Sequence, residues 1–209
     1  MPDAVTRCDA NTTRIPVLRS VRQDDPLHPA LAAFVRAVFR RSYAAEIAGV
    51  AAELLGDIDA DGRIHAVLGL RRAARERLYC ETYLDRPIEE LIAERVGAPV
   101  PRSDLVEVAH LAPERAGQTR PLIAALTRHL AAHGIRWVTF TTVPRLRNAF
   151  RRMGLEPIEL AVADPARLPP GERARWGDYY AHRPRVYAGD VAASQVTLAR
   201  ARADHACAA

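Results

Sequence analysis

From residue 31 to residue 50 the apolar positions recur at helical spacing. Leu31, Phe34, Val35, Val38, Phe39 and Ile47 form one stripe, and Arg36, Arg40 and Arg41 fall mostly on other faces. This predicts an amphipathic helix over 31–50 with a break near Tyr43, then a second short helix over 51–55. Asp61-Gly62 is a turn signal ahead of an apolar run at 64–70, and a second run covers 78–84. With an arginine-rich turn between them, the two runs read as an antiparallel strand pair. Asp85-Arg86-Pro87 opens a helix at 88–96 that Gly97 closes. Residues 105–111 alternate as a strand, with Leu105, Glu107, Ala109 and Leu111 on one face and Val106, Val108 and His110 on the other. A polar loop then leads to a helix at 121–133 stopped by Gly134. A strand at 135–142, a helix at 145–153 and a strand at 155–163 follow, with a weak strand at 186–190. Strand, loop, helix, strand, helix, strand is the alternation of an α/β domain with a partly parallel sheet. Antiparallel strands in the first half make that sheet mixed, flanked by helices. Residues 1–25 read as irregular, with one short strand at 15–18, residues 26–191 as a single domain, and residues 192–209 as a flexible tail of frayed helix.

Composition narrows the function classes. With 49% hydrophobic residues in 209, the body of the chain is too apolar for disorder and large enough for a core. No apolar run approaches a membrane span, and the first residues lack a basic start followed by an apolar core, so the expected location is the cytoplasm. Three scattered cysteines, Cys8, Cys80 and Cys207, do not make a disulfide framework. All 30 basic residues are arginine, and acidic residues are interspersed among them, for a net charge of +5. That balance suits an acidic ligand or an acidic carrier protein better than nucleic acid.

Chemistry concentrates in LVEVAHLAPERAGQTRPLIAALTRHLAAHG. A strand enters a short polar loop that opens directly onto a helix. The free N–H groups and the dipole there form an anion site, with Arg115 and Arg120 on its flanks and Gly117 allowing close approach. Glu107 is the acid/base candidate, its alternative being a buried carboxylate paired with an arginine. His110 suits proton transfer, although three residues along a strand it points away from Glu107 unless a bulge intervenes. Glu81 shares a face with Tyr83 and could raise the pKa of Glu107 or hold an amine. Tyr179 and Tyr180 could protonate a leaving thiolate or simply pack with Trp176. His129 and His133 lie four apart on a helix without a third ligand at supporting spacing, so no metal is expected.

The loop and the later segment VPRLRNAFRRMGLEP, with Asn148 near a helix start, resemble the GCN5-related N-acetyltransferase (GNAT) fold. The segment N-x-F-x-x-x-G-L matches that pattern, whereas R-A-G-Q-T-R departs from the usual Q/R-x-x-G-x-G/A. ETYLDRPIEELI, VEVAHLA, RLRNAFRRMGL and WGDYYAHRPRVYAGD together resemble the thermostable hemolysin family over about residues 38–190. That family is GNAT-like and similar to acyl-homoserine-lactone synthases, whose Glu-x-x-Arg motif compares with Glu107 to His110 here. The resemblance implies an acyl group moving from a thioester, acyl-CoA or acyl-carrier protein, to the amine of a small molecule. It implies donor contacts from Arg115, Gly117, Gln118, Arg120 and Asn148. A membrane-acting hemolysin, as the family name suggests, and a non-catalytic binding module are the other readings.

Overall fold

The computed structural model describes residues 15–207; the expectation for residues 1–14, and Cys8 with it, lies outside them. Seven strands form one mixed sheet: β1 (Leu18–Arg22), β2 (Glu53–Ile58), β3 (Ile64–Arg72), β4 (Leu105–Pro113), β5 (Trp137–Thr142), β6 (Ile158–Val162) and β7 (Arg185–Asp190). Their order is β1-β2-β3-β4-β5-β7-β6, antiparallel throughout except β4 with β5.

Helices α1 (His28–Tyr43) and α3 (Thr119–Ala132) cover opposite faces. Leu31, Val35 and Val38 of α1 pack on Leu54 and Val67, while Leu122, Leu126 and Leu130 of α3 pack on Leu55 and Leu68. Adjacent strand residues thus feed two cores, as the period of two requires. The break expected near Tyr43 is the end of α1, where Ala44 takes a left-handed conformation and returns its N–H to Arg40. Helix α2 (Ile88–Val96) closes on Gly97, and α4 (Pro144–Arg152), α5 (Pro170–Arg175) and α6 (Val191–Cys207) complete the set.

Four expectations are corrected. Residues expected as helix at 51–55 enter β2, because pairing on both sides with β1 and β3 overrides the helical propensity of Ala-Glu-Leu-Leu. The run at 78–84 is not a strand: the edge of β3 it would occupy is taken by β4, and Tyr79–Tyr83 form a 3₁₀ turn instead. The short strand expected at 15–18 lies instead at Leu18–Arg22, where it is the outer strand of the sheet. The segment after 191 is helix α6, whose Leu198 packs with Ile123, Met153 and Leu155.

Two irregularities position the site. Strands β4 and β5 pair only from Leu105 to Glu107 against Trp137 to Thr139 and then diverge into a fork. On its other side, β4 carries an extra residue, since Val67 pairs with Ala112 but Gly69 pairs with Ala109. His110 occupies this bulge at φ 54°.

The segment around α5 crosses over the end of α1. Glu46 N–H donates to Arg175 O at 2.6 Å and Asp178 N–H to Tyr43 O at 3.0 Å. Gly177 sits between them at φ 54°, where a Cβ would collide with the Tyr43 carbonyl. Gly177→Ala is therefore expected to cost about 2–4 kcal/mol in urea denaturation. Gly171→Ala, with nothing within 4 Å of its Cβ, is the near-neutral control.

Candidate functional site

The bulge changes which side chains of β4 share a face. Without it, His110 would lie with Val106 and Val108 against α3. With it, the His110 ring meets Phe39 of α1 edge-on, 5.8 Å between centroids, and joins Glu107 in the wall of one cavity of about 600 Å³. Leu111 moves the other way and packs with the α3 core. Gly69 makes room for the ring; a Cβ there would stand 3.0 Å from His110 Cδ2.

Glu107 is 2% exposed. Its Oε2 accepts the Tyr79 N–H at 2.7 Å and its Oε1 the Cys80 N–H at 2.9 Å, so it caps the first turn of the 3₁₀ segment. Arg71 Nε lies 3.9 Å from Oε2. Burial raises the Glu107 pKa, and the two N–H bonds and Arg71 oppose the rise without cancelling it. Burial, with Arg71 and Arg36 adding to it, lowers the His110 pKa to about 4, so the imidazole is neutral at pH 7. Among the described residues, four buried side-chain polar atoms have no hydrogen-bond partner: His110 Nδ1 and Nε2, Arg71 Nε and Thr141 Oγ1. All four belong to residues lining this cavity.

Part of the rest of the wall is aromatic, with Phe39, Tyr43, Tyr79, Tyr83, Trp176 and Tyr179 lining it and Tyr180 behind them. Trp176 Nε1–H donates to the Tyr79 hydroxyl at 3.0 Å, which donates to Glu172 at 2.7 Å. The Tyr83 and Tyr180 hydroxyls bond to each other. Tyr179 O–H donates to the Thr141 carbonyl at 3.3 Å. Burial raises the pKa of all four tyrosines, which keeps them protonated as donors and makes them poor proton sources for a thiolate. Cys80 is fully buried beside Glu107, and burial holds its sulfur as the thiol.

A second, apolar cavity of about 460 Å³ lies on the α3 side of the fork. It runs from Val108 and Leu111 past Leu126 and Phe150 to Thr197 of α6. Val108, Leu111, Thr141, Thr142 and Leu146 belong to the walls of both cavities.

Other expected residues are not gathered here. Glu81 lines neither cavity. Both its oxygens face Arg102, at 2.7 and 2.8 Å, and Oε2 also accepts the Leu78 N–H at 2.8 Å. Burial pushes its pKa up, but the guanidinium and N–H bonds outweigh this and hold it below the usual value. It neither raises the Glu107 pKa nor offers a free carboxylate. Arg102 also binds Glu89 at 2.6 Å and the Ala73 carbonyl at 2.8 Å. Arg102→Met is expected to lower stability by about 2–3 kcal/mol in urea denaturation, less than for a fully buried pair because the side chain of Arg102 is 30% exposed.

Arg115 and Gly117 are exposed in the loop that continues from β4 into α3 and Arg120 is exposed in the first turn of α3, all three outside both cavities. Gln118 there turns its side chain back to accept the Arg115 N–H at 3.1 Å. Asn148 is exposed on α4, while its helix neighbour Leu146 faces the cavities. His129 and His133 stack at 4.2 Å, and no group of three or more metal-ligating side chains occurs among the described residues.

Sequence reasoning missed Arg71, Tyr79, Thr141 and Glu172. The pattern marked Thr141 as a strand residue but put Arg71 in the arginine-rich turn, whereas β3 runs on through Arg72; only the fork and the bulge bring the two to one cavity.

The pattern of the thermostable hemolysin family matches residues 21–195. The chain belongs to the thermostable hemolysin family. No protein of curated function matches it. Among solved structures, this chain is similar to apo TofI, with 20% identity over 87% of this chain and 95% of that one, and a TM-score of 0.59. It is also similar to FeeM, an N-acyl amino acid synthase from uncultured soil microbes, with 15% identity over 87% and 98% of the two chains and a TM-score of 0.55. BjaI, a CoA-dependent acyl-homoserine lactone synthase with SAM and isopentyl-CoA, shares 12% identity over 88% and 87%, with a TM-score of 0.56. These likenesses establish a GNAT-like fold for this member of the family.

Proposed function

We propose that the protein is an N-acyltransferase, moving an acyl group from a thioester to the amine of a small molecule. One observation carries the reading. The cavity that holds Glu107 and neutral His110 adjoins a second cavity, lined mostly by apolar side chains, across the fork between β4 and β5. An amine in the first would meet an acyl chain lying in the second. The solved structures with this fold include synthases of acyl-homoserine lactones and N-acyl amino acids, which supports the same chemistry.

In this mechanism the amine nitrogen attacks the thioester carbonyl carbon directly. Its proton passes to Glu107, whose raised pKa suits it to hold one. Neutral His110 can donate from one nitrogen and accept at the other, which orients the amine or relays its proton. Beyond Glu107 the β5-facing backbone of β4 has no β5 partner, and its N–H groups are available to the carbonyl oxygen. The C–N bond forms, the C–S bond breaks, and the departing thiolate takes up the proton that Glu107 received, directly or through water, so that the thiol leaves and Glu107 is again a carboxylate.

The donor is carried on coenzyme A or on an acyl-carrier protein. The exposed Arg115 and Arg120 beside the first turn of α3 suit the phosphates of either. Such donors place the reaction in the cytoplasm. No helix among the described residues is long and apolar enough to cross a membrane.

The test incubates purified protein with acyl-CoA and acyl-carrier-protein panels and a pool of amines that includes S-adenosylmethionine, read by intact mass. A new acyl-amine product supports the reading and identifies the donor. A protein that neither consumes nor binds any donor would overturn it.

A further inference from the structure

The wall shared by the two cavities contains two polar side chains, Thr141 and Thr142. Thr141 is the one whose buried oxygen has no partner. Two residues earlier on the same face of β5, Thr139 is fully buried and satisfied: its hydroxyl donates to the Tyr187 carbonyl at 2.9 Å. Thr139 is also the residue in register with Glu107. Thr141 therefore stands one pleat beyond Glu107 on the same face of the sheet, at the point where β4 has left β5. Its backbone is pinned there by Tyr179, which donates to its carbonyl. A pinned residue with an unused, buried hydroxyl is costly to keep unless something outside the fold accepts its hydrogen bond.

We propose that the Thr141 hydroxyl donates a hydrogen bond to the carbonyl oxygen of the thioester and to the oxyanion that forms from it. The proposal rests on the acyl-transfer reading above. The attacked carbon is the carbonyl carbon, which carries the acyl chain and receives the amine, so it must lie where the two cavities meet. Attack by the amine forms the C–N bond and moves the C=O electron pair onto that oxygen, where Thr141 stabilises it. Collapse restores C=O and breaks the C–S bond. Thr141 keeps its proton throughout, so it is a hydrogen-bond donor and not a nucleophile.

Thr141→Val keeps the shape and removes the donor; Thr141→Ser keeps the donor. Both are assayed with the donor and amine that the unmodified protein converts. Thr141→Val is expected to lower kcat by about 10²–10³-fold with donor KM changed by less than about threefold, and Thr141→Ser to restore most of the loss. Its melting temperature should be no lower than that of the unmodified protein, because the group removed makes no bond within the fold. A kcat within about threefold of the unmodified protein overturns the proposal. So does a serine variant as slow as the valine one, or a slow valine variant that also melts lower. If the unmodified protein yields no acyl-amine product, the acyl-transfer reading fails and this proposal fails with it. Turnover equal in the unmodified protein and Thr141→Val removes only the role of Thr141.

Discussion

Glu107→Gln is expected to lower acyl-transfer kcat by about 10²–10⁴-fold and stability by about 1–3 kcal/mol together. The kinetic loss follows from removing the proton acceptor in the cavity wall. The stability loss has a separate cause. Both carboxylate oxygens accept backbone N–H groups, from Tyr79 and Cys80. A glutamine can satisfy only one of these, and its amide N–H₂ must face the other donor. Activity should therefore be compared well below the melting temperature of the variant. A variant that melts lower but keeps kcat within about threefold would reduce Glu107 to a structural cap of the 3₁₀ turn, with no part in proton transfer.

Acid sensitivity is the second large effect. His110 is neutral in the folded protein, with a pKa of about 4, whereas an unfolded chain would titrate at the ordinary histidine value of 6.5. The folded pKa is depressed, so the unfolded state binds the additional proton as pH falls. The His110 contribution to stability is complete above about pH 6.5 and is lost as pH drops toward 4, amounting to about 3 kcal/mol at the low end. Glu107 acts with the opposite sign, since its raised pKa favours the folded state as pH falls. A comparison with His110→Phe isolates the histidine, because the ring contact with Phe39 is kept and Glu107 is common to both proteins. Urea denaturation from pH 7 to pH 4 should show the unmodified protein losing stability more steeply than the variant. Parallel curves would show that the imidazole is already solvated and protonated in the folded state.

The elements that could be read from sequence are those whose burial is local in origin. Helix α3 carries its apolar stripe and its stop within its own residues, and α2 ends at the glycine that the pattern marks. The alternation of 105–111 identified β4 and, with it, Glu107 and His110. The segment at 78–84 shows the limit. Its apolar and aromatic residues satisfy a strand pattern as well as a 3₁₀ turn, and the choice is made by β4, which occupies the edge of β3 and supplies the Glu107 carboxylate that caps the turn. Glu81 was misplaced for the same reason: a strand would have set it beside Glu107, whereas the turn delivers it to Arg102. Arg115, Gly117 and Gln118 were located correctly in the strand-to-helix connection, whereas Arg120 lies in the first turn of α3, and none of the four lines either cavity.

By itself, the sequence determined the α/β alternation, the family pattern and the two β4 residues on which the proposed chemistry turns, because these depend on order and spacing along the chain. It could not place those two residues on one face, since strict alternation separates positions three apart. That was decided by the tertiary structure, through one extra residue in β4 opposite Gly69 and the divergence of β4 from β5. Both are compromises between strands that are distant in sequence, and they alone bring Arg71, His110, Glu107 and Thr141 to a common cavity.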